Sequence, residues 1–402
     1  MGLPRYDKSL FAIFIFVIVL IVYGSFYPWV FEARQLPASP LSILLHSWAI
    51  DFHSRKFVSD VAINIAIYMP LGMSGYLAFR RFKSTVLEIA APIAIGASLS
   101  ACVEMVQLFT PHRECSAVDL VNNILGTVFG VLAGMLFKEI VDVPETGPLF
   151  VARDRVAVAL LFVWVAFLLF PLFPVLALAE WRVRIFTFIH GPLFRPTPIF
   201  LSAAEWFVVG RLLAATGVKS PLLWLLGLLA LVPIQFAIIG HTVLPFDFVG
   251  PVLGTLLFVA LRKGSKADGI AGMLLLVALT VRGLEPFRFE GPGQAFAWIP
   301  FIGLLNDTWQ PAISVLLGKL FQYGASLWLL SRSFFGLAGA TSAVTLVLAA
   351  IEVLQTQIPG HIAEMTDPLI GVLLGLAFFV LRRNSWLTGN VTHRKVASRH
   401  TK

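Results

Sequence analysis

Cysteine is nearly missing from this chain: 402 residues contain two, Cys102 and Cys115. One lies in an apolar run and the other in a short polar stretch, a pattern that excludes a disulfide framework and fits no zinc-ligand spacing. Charge is also scarce, at 13% of residues against 58% hydrophobic. With a mean hydropathy of +0.86, the chain cannot cover itself with the polar surface that a water-soluble globule needs. No Gly-x-x-x-x-Gly-Lys phosphate loop, Gly-x-Ser-x-Gly elbow or His-Glu-x-x-His motif occurs. Nucleotide-driven transport and the commonest hydrolase chemistries therefore have no foothold, no cofactor is expected, and an enzymatic role is disfavoured.

What the chain does have is long apolar runs. A membrane-spanning helix needs about 20 mainly apolar residues, and such segments fall at 10–30, 60–80, 86–109, 117–138, 156–179, 197–216, 221–240, 244–262, 269–285, 311–331, 334–357 and 366–382. The expected fold class is all-α, a polytopic transmembrane helical bundle of about twelve spans. The ninth is the weakest, because Asp268 and Arg282 lie close together at its ends. The first follows Arg5 and Lys8 as a signal peptide would, yet Leu10–Tyr23 runs on into Phe26, Tyr27 and Trp29 without a small-residue cleavage site, so a retained span is expected.

The net charge of +8 is concentrated in alternate loops. Arg80, Arg81 and Lys83, then Arg262, Lys263 and Lys266, then Arg382, Arg383, Arg394, Lys395, Arg399 and Lys402 fall on one side when the N-terminus is placed in the cytoplasm. Both termini are then cytoplasmic. Attraction to anionic inner-leaflet lipid accounts for these charges, and nucleic acid is not an expected partner.

Polar residues recur with a fixed spacing. Gln107, Gln235 and Gln355 are each followed six residues later by Arg113, His241 or His361, and twelve residues later by Asp119, Asp247 or Asp367. Each set joins two apolar runs, the second of which carries glycine: Gly126 and Gly130, Gly254, then Gly371 and Gly375. One four-span module in three copies explains this pattern, with boundaries expected at 1–148, 149–264 (degenerate) and 265–384, followed by a basic tail at 385–402. An even span count keeps successive copies parallel, which puts all three polar sets on the outer face. A second signature pairs Glu32 with Arg34, Glu180 with Arg182 and Glu285 with Arg288 at the outer end of each copy's first span. The amphipathic stretches 181–200 and 289–309 that follow are expected to lie among lipid headgroups.

The first copy carries Asp60, Asn64, Pro70 and Gly72, then Glu104, Gln107, Pro111, Arg113, Asp119, Asn122, Asn123 and Gly126. Over about 58–137 this string resembles the VanZ-like family of bacterial membrane proteins. The resemblance recurs in part over 285–382, in Trp298, Pro300, Phe301, Glu352, Gln355, His361 and Asp367. It implies a bacterial plasma-membrane location and an association with resistance to the glycopeptide teicoplanin. The copies also depart from the pattern: Val232 stands at the Glu position of the second, histidines replace Arg113, and Gly250 and Ile370 stand where Asn122 does.

Physically, Glu104 and Gln107 project from one helix face, Arg113 follows in a short loop, and Asp119 opens the next helix. A guanidinium beside unpaired helix N–H groups can hold a phosphate or carboxylate. Two readings of the repeated residues stand side by side. In one, Asp119, Asp247 and Asp367 cap helices (with Pro368 fitting a first-helical proline) and Glu104 neutralises Arg113. In the other, Glu104, Gln107, Arg113, Asp119, Asn122, Asn123 and Asn64, with Glu352, Gln355, His361 and Asp367 and the degenerate Gln235, His241 and Asp247, bind an anionic amphiphile. That ligand would be a lipid-linked envelope component or a lipoglycopeptide, with membrane lipids as the other partner. Asn64, Asn122 and Asn123 can equally bond between helices. Glu205 with Arg211, and Lys319 with Gln322, lie in later spans and keep a transporter or flippase in view. His112, Glu114 and Cys115 have no counterpart in the other copies, so no metal is expected.

Overall fold

A computed structural model describes residues 7–48, 55–111, 115–141, 154–171, 173–175, 177–289, 293–303 and 309–383. The described residues are helical, with only isolated bridges and no strand. In a bilayer a helix satisfies its own backbone hydrogen bonds, which an apolar chain of this composition requires. Six helices are long and apolar enough to cross a membrane: Thr85–Gln107, Ala117–Leu136, Pro196–Thr216, Ala267–Leu284, Pro311–Ser333 and Leu337–Gln355. Six shorter apolar stretches coincide with the remaining runs read from the sequence. Ala267–Leu284 is among the long ones, so the weakest expected segment forms a continuous helix.

The chain divides into two compact units, Met1–Val143 and Pro144–Lys402. The expected boundary at 148 falls among residues outside those described. The tail from 385 lies outside them as well.

Unit 1 consists of α1 (Asp7–Phe26), the short α2 (Pro40–His46), α3 (Arg55–Phe79), α4 (Thr85–Gln107) and α5 (Ala117–Val141). Its closest packing is between α3 and α5. Glycine makes this approach possible, since a Cβ on Gly130 would be driven into the Met69 carbonyl and one on Gly72 into the Thr127 carbonyl. Phe14, Ile21, Tyr68, Leu71 and Ala78 form the buried cluster beside this contact.

Unit 2 runs through α6 (Arg155–Leu169), α7 (Leu178–His190), α8 (Pro196–Thr216), α9 (Pro221–Leu228), α10 (Leu231–Ile234), α11 (Val249–Leu261), α12 (Ala267–Leu284), α13 (Trp309–Ser333), α14 (Leu337–Gln355) and α15 (Thr366–Arg383). Its core is aromatic: Trp164 meets Trp206 edge-on with ring centroids 5.1 Å apart and lies 6.3 Å from Phe321. Gly254 lets α11 press on α8, whereas Gly371 and Gly375 face Thr345 and Thr341 of α14. The amphipathic stretch expected over 181–200 divides, because Pro196 starts α8. The remainder is α7, none of whose residues is buried.

Charges gather at the end of unit 2 where α6 and α12 begin. Asp154 caps α6 through the Val156 and Ala157 amides and accepts a 2.7 Å bond from Arg332. Asp268 pairs with Arg211 at 2.6 Å and lies 3.8 Å from Arg332. Burial pushes the Asp154 carboxyl above its usual range, opposed by the Ala157 amide, the Arg332 charge and the Val156 amide. This cluster ties four helices together at the end opposite the repeated polar residues.

Candidate functional site

The repeated glutamines serve a shared structural purpose in unit 1 and in the last part of unit 2. Gln107 at the end of α4 donates to the Ser25 carbonyl at 3.1 Å, and Gln355 at the end of α14 donates to the Gly283 carbonyl at 2.8 Å. Each satisfies a carbonyl in the last turn of its partner helix, α1 or α12, a group that the helix leaves without an internal donor. The glutamates three residues earlier also correspond. Glu104 accepts from the Ser116 amide at 2.9 Å and Glu352 from the Glu364 amide at 2.7 Å, in each case twelve residues downstream. The carboxylates thus brace the loops leading into α5 and α15, and both glutamates are 3% exposed.

The histidines bond the chain just beyond the first helix of their sets. His361 Nε2 lies 2.8 Å from the Glu285 carbonyl, and His241 Nε2 lies 2.7 Å from the Phe170 carbonyl. A carbonyl only accepts, so each Nε2 carries the proton. In both cases the residue contacted precedes a proline, Pro286 or Pro171. Arg113 lies outside the described residues.

The aspartates behave differently from one another. Asp247, third in the short 3-10 turn Pro245–Phe248, reaches back to accept from the Leu244 amide at 2.7 Å instead of capping the amides ahead of it. In α5 the cap is Ser116, whose hydroxyl accepts from the Asp119 amide, leaving Asp119 in the first turn. Asp367 departs from the capping reading altogether: its oxygens take Lys319 Nζ and the Tyr323 hydroxyl of α13, the latter at 2.6 Å. Asn123 joins α5 to α4 by a 2.9 Å bond to Ser100, the interhelical reading. The Asn122 amide nitrogen and the Asn123 amide oxygen are buried without partners among the described residues, and Asn64 is half-buried. The side chain of Gln235 has no hydrogen bond of this kind among the described residues. Thiol chemistry gets no help either, since burial first and the Glu104 charge second push the Cys115 thiol up.

A cavity of about 420 Å³ opens in unit 2 at the end that carries the 356–365 loop. Glu352, Gln355, His361 and Asp367 line it. So do Arg282, Lys319, Gln322, Tyr323 and Glu364, which the repeat did not single out as one site. Lys319 is neutralised by Asp367. The Arg282 guanidinium, by contrast, has no hydrogen bond or ion pair to a described residue, although its charge acts on buried Glu205 and on Tyr323. Glu364 is 6% exposed and spends one oxygen on the Gly303 amide at 3.0 Å. Beneath the cavity, Gln322 donates to buried Glu205 at 2.6 Å. A second, more open cleft of about 410 Å³ is lined by Glu180, Arg184 and His241. There one nitrogen of Arg184 donates to the Phe236, Ile238 and His241 carbonyls at 2.8–3.0 Å, fastening α7 to the loop. Among the described residues, no group of three or more His, Cys, Asp or Glu is arranged to hold a metal.

The helical pattern of unit 1, with its Glu104, Gln107 and Asp119 string, is matched by the VanZ/LLP1 family model over residues 10–138. Unit 1 is a VanZ-like domain. No curated protein and no solved structure matches the chain. The VanZ-like domain and the last part of unit 2 therefore share side-chain bonds at the same spacings, while the cavity lies in unit 2.

Proposed function

We propose that the chain is a bacterial plasma-membrane protein, built from tandem VanZ-like modules, that recognises an anionic amphiphile at its outer face. The observation that carries this reading is the Arg282 guanidinium, which lines a cavity between helices and has no hydrogen bond or ion pair among the described residues. A guanidinium is always charged, and in a cavity of reduced polarity a phosphate or carboxylate is the partner that best offsets its desolvation. The matched glutamine, glutamate and histidine bonds support tandem modules. The clustering of basic loops at the opposite ends of the helices supports an outward-facing cavity. A lipid-linked envelope component or a lipoglycopeptide antibiotic fits a site whose ligand carries an acidic head and apolar tail, and similarity to the VanZ-like family supports a contribution to glycopeptide resistance.

The test compares the wild type with Arg282→Ala and Arg113→Ala, in cells at equal protein abundance and in purified form. Arg282→Ala is expected to weaken binding of phosphatidylglycerol about tenfold or more, the usual scale for losing a charge-assisted contact, and either substitution to change lipoglycopeptide susceptibility. Unchanged binding and susceptibility would refute the proposal.

One observation favours a second reading, a transporter. Gln322 links the cavity to Glu205, an ionisable group inside the helix bundle. Lipid movement in vesicles that stops with Glu205→Gln would establish that reading instead.

A further inference from the structure

The unit 2 cavity is lined by ionisable groups of both signs. Glu352, Glu364 and Asp367 contribute three carboxylates, against Arg282 and Lys319, with His361 counted as neutral. Lys319 and Asp367 cancel as an ion pair. What remains along the lining is the Arg282 guanidinium and two carboxyl groups, each of which uses one oxygen on a backbone amide: Glu352 on that of Glu364, and Glu364 on that of Gly303. The second oxygen of Glu364 has no hydrogen bond to a described group. A purely anionic head entering this space would satisfy Arg282 but bring a second negative charge into the cavity that Glu364 lines, in surroundings where like charges repel more strongly than in water. A head that brings its own cation would satisfy both sides.

We infer that the cavity selects a zwitterionic head, its phosphate or carboxylate held by Arg282 and its primary ammonium by Glu364, with Glu352 behind it. This rests on the proposed recognition of an acidic amphiphile and narrows its class. A primary ammonium is favoured over a quaternary one because the carboxylate oxygens accept hydrogen bonds, and only N–H groups can donate them. The same head could arrive on a membrane lipid or on a soluble molecule.

The experiment titrates the full-length purified protein in detergent with dioleoyl phosphatidylethanolamine, phosphatidylglycerol and phosphatidylcholine, reading occupancy by native mass spectrometry. Phosphatidylethanolamine is expected to bind about tenfold tighter than the other two, the scale of one additional charge-assisted contact. Glu364→Gln should erase that preference without weakening phosphatidylglycerol, and Glu352→Gln should reduce it, which provides a second variant should the first fail to fold. Equal or tighter phosphatidylglycerol binding by the wild type, or a preference that survives both substitutions, would overturn the inference. Failure of the broader proposal is distinguishable: Arg282→Ala would then leave phosphatidylglycerol and phosphatidylethanolamine binding alike unchanged. Soluble phosphoethanolamine identifies the source. Displacement at concentrations similar to the lipid supports a soluble zwitterion, displacement only at about hundredfold excess supports a lipid, and no displacement at any concentration contradicts head recognition.

Discussion

An ammonium group ten residues into α13, roughly 15 Å from the helix start, needs a carboxylate, and Lys319 finds Asp367 forty-eight residues away. Tyr323, one turn further along the same face, secures the other carboxylate oxygen. Removing one member of such a pair strands the other. Lys319→Ala should therefore cost about 3 kcal/mol, reduced where water reaches the pair, and lower the thermal unfolding midpoint in detergent. Replacing both partners, Lys319→Met with Asp367→Leu, should recover most of the loss. A double variant as unstable as the single one would show that the pair is not what Lys319 supplies. The repeat exposed Glu352, Gln355, His361 and Asp367 because they recur at fixed separations. It could not expose Arg282 and Glu364, which no other copy reproduces, or the role of Tyr323, which depends on contacts between distant helices. A weak signal existed: Tyr323 follows Lys319 by four residues as Tyr68 follows Asn64.

At the scale of elements, apolar runs and glycines specified most of what forms. Apolar runs of this length form helices because a helix satisfies its own backbone groups within one segment, and Gly126 and Gly130 mark where α5 meets α3. Which helix each glycine would face was not legible, since Gly254 packs on α8 and Gly371 on α14. Gly130→Ala should force α3 and α5 apart and sharply reduce folded protein recovered from membranes. Gly227→Ala in α9 has nothing within 4 Å of the new methyl. It should be neutral or stabilise by up to about 1 kcal/mol, the helix-propensity difference between the two residues. Size-exclusion yield and melting in detergent compare them directly, and equal recovery of both variants would show that the close approach is not required. α7 could be read as amphipathic, but its attachment through Arg184 to three carbonyls of the 236–241 stretch could not, because backbone acceptors leave no trace in residue identity.

For the whole molecule, parallel modules predict that the loops containing positions 241 and 361 share the extracytoplasmic side with position 113. Single cysteines at these positions, in a chain whose Cys102 and Cys115 are replaced, should all react with an impermeant maleimide added to intact cells. Labelling of only some of them would break the parallel arrangement. The most direct measurement of recognition itself is an experimental structure of the full chain in nanodiscs of phosphatidylethanolamine and phosphatidylglycerol. Headgroup density is expected in the unit 2 cavity, its acidic end on Arg282. An empty cavity with lipid density beside Glu205 would contradict it.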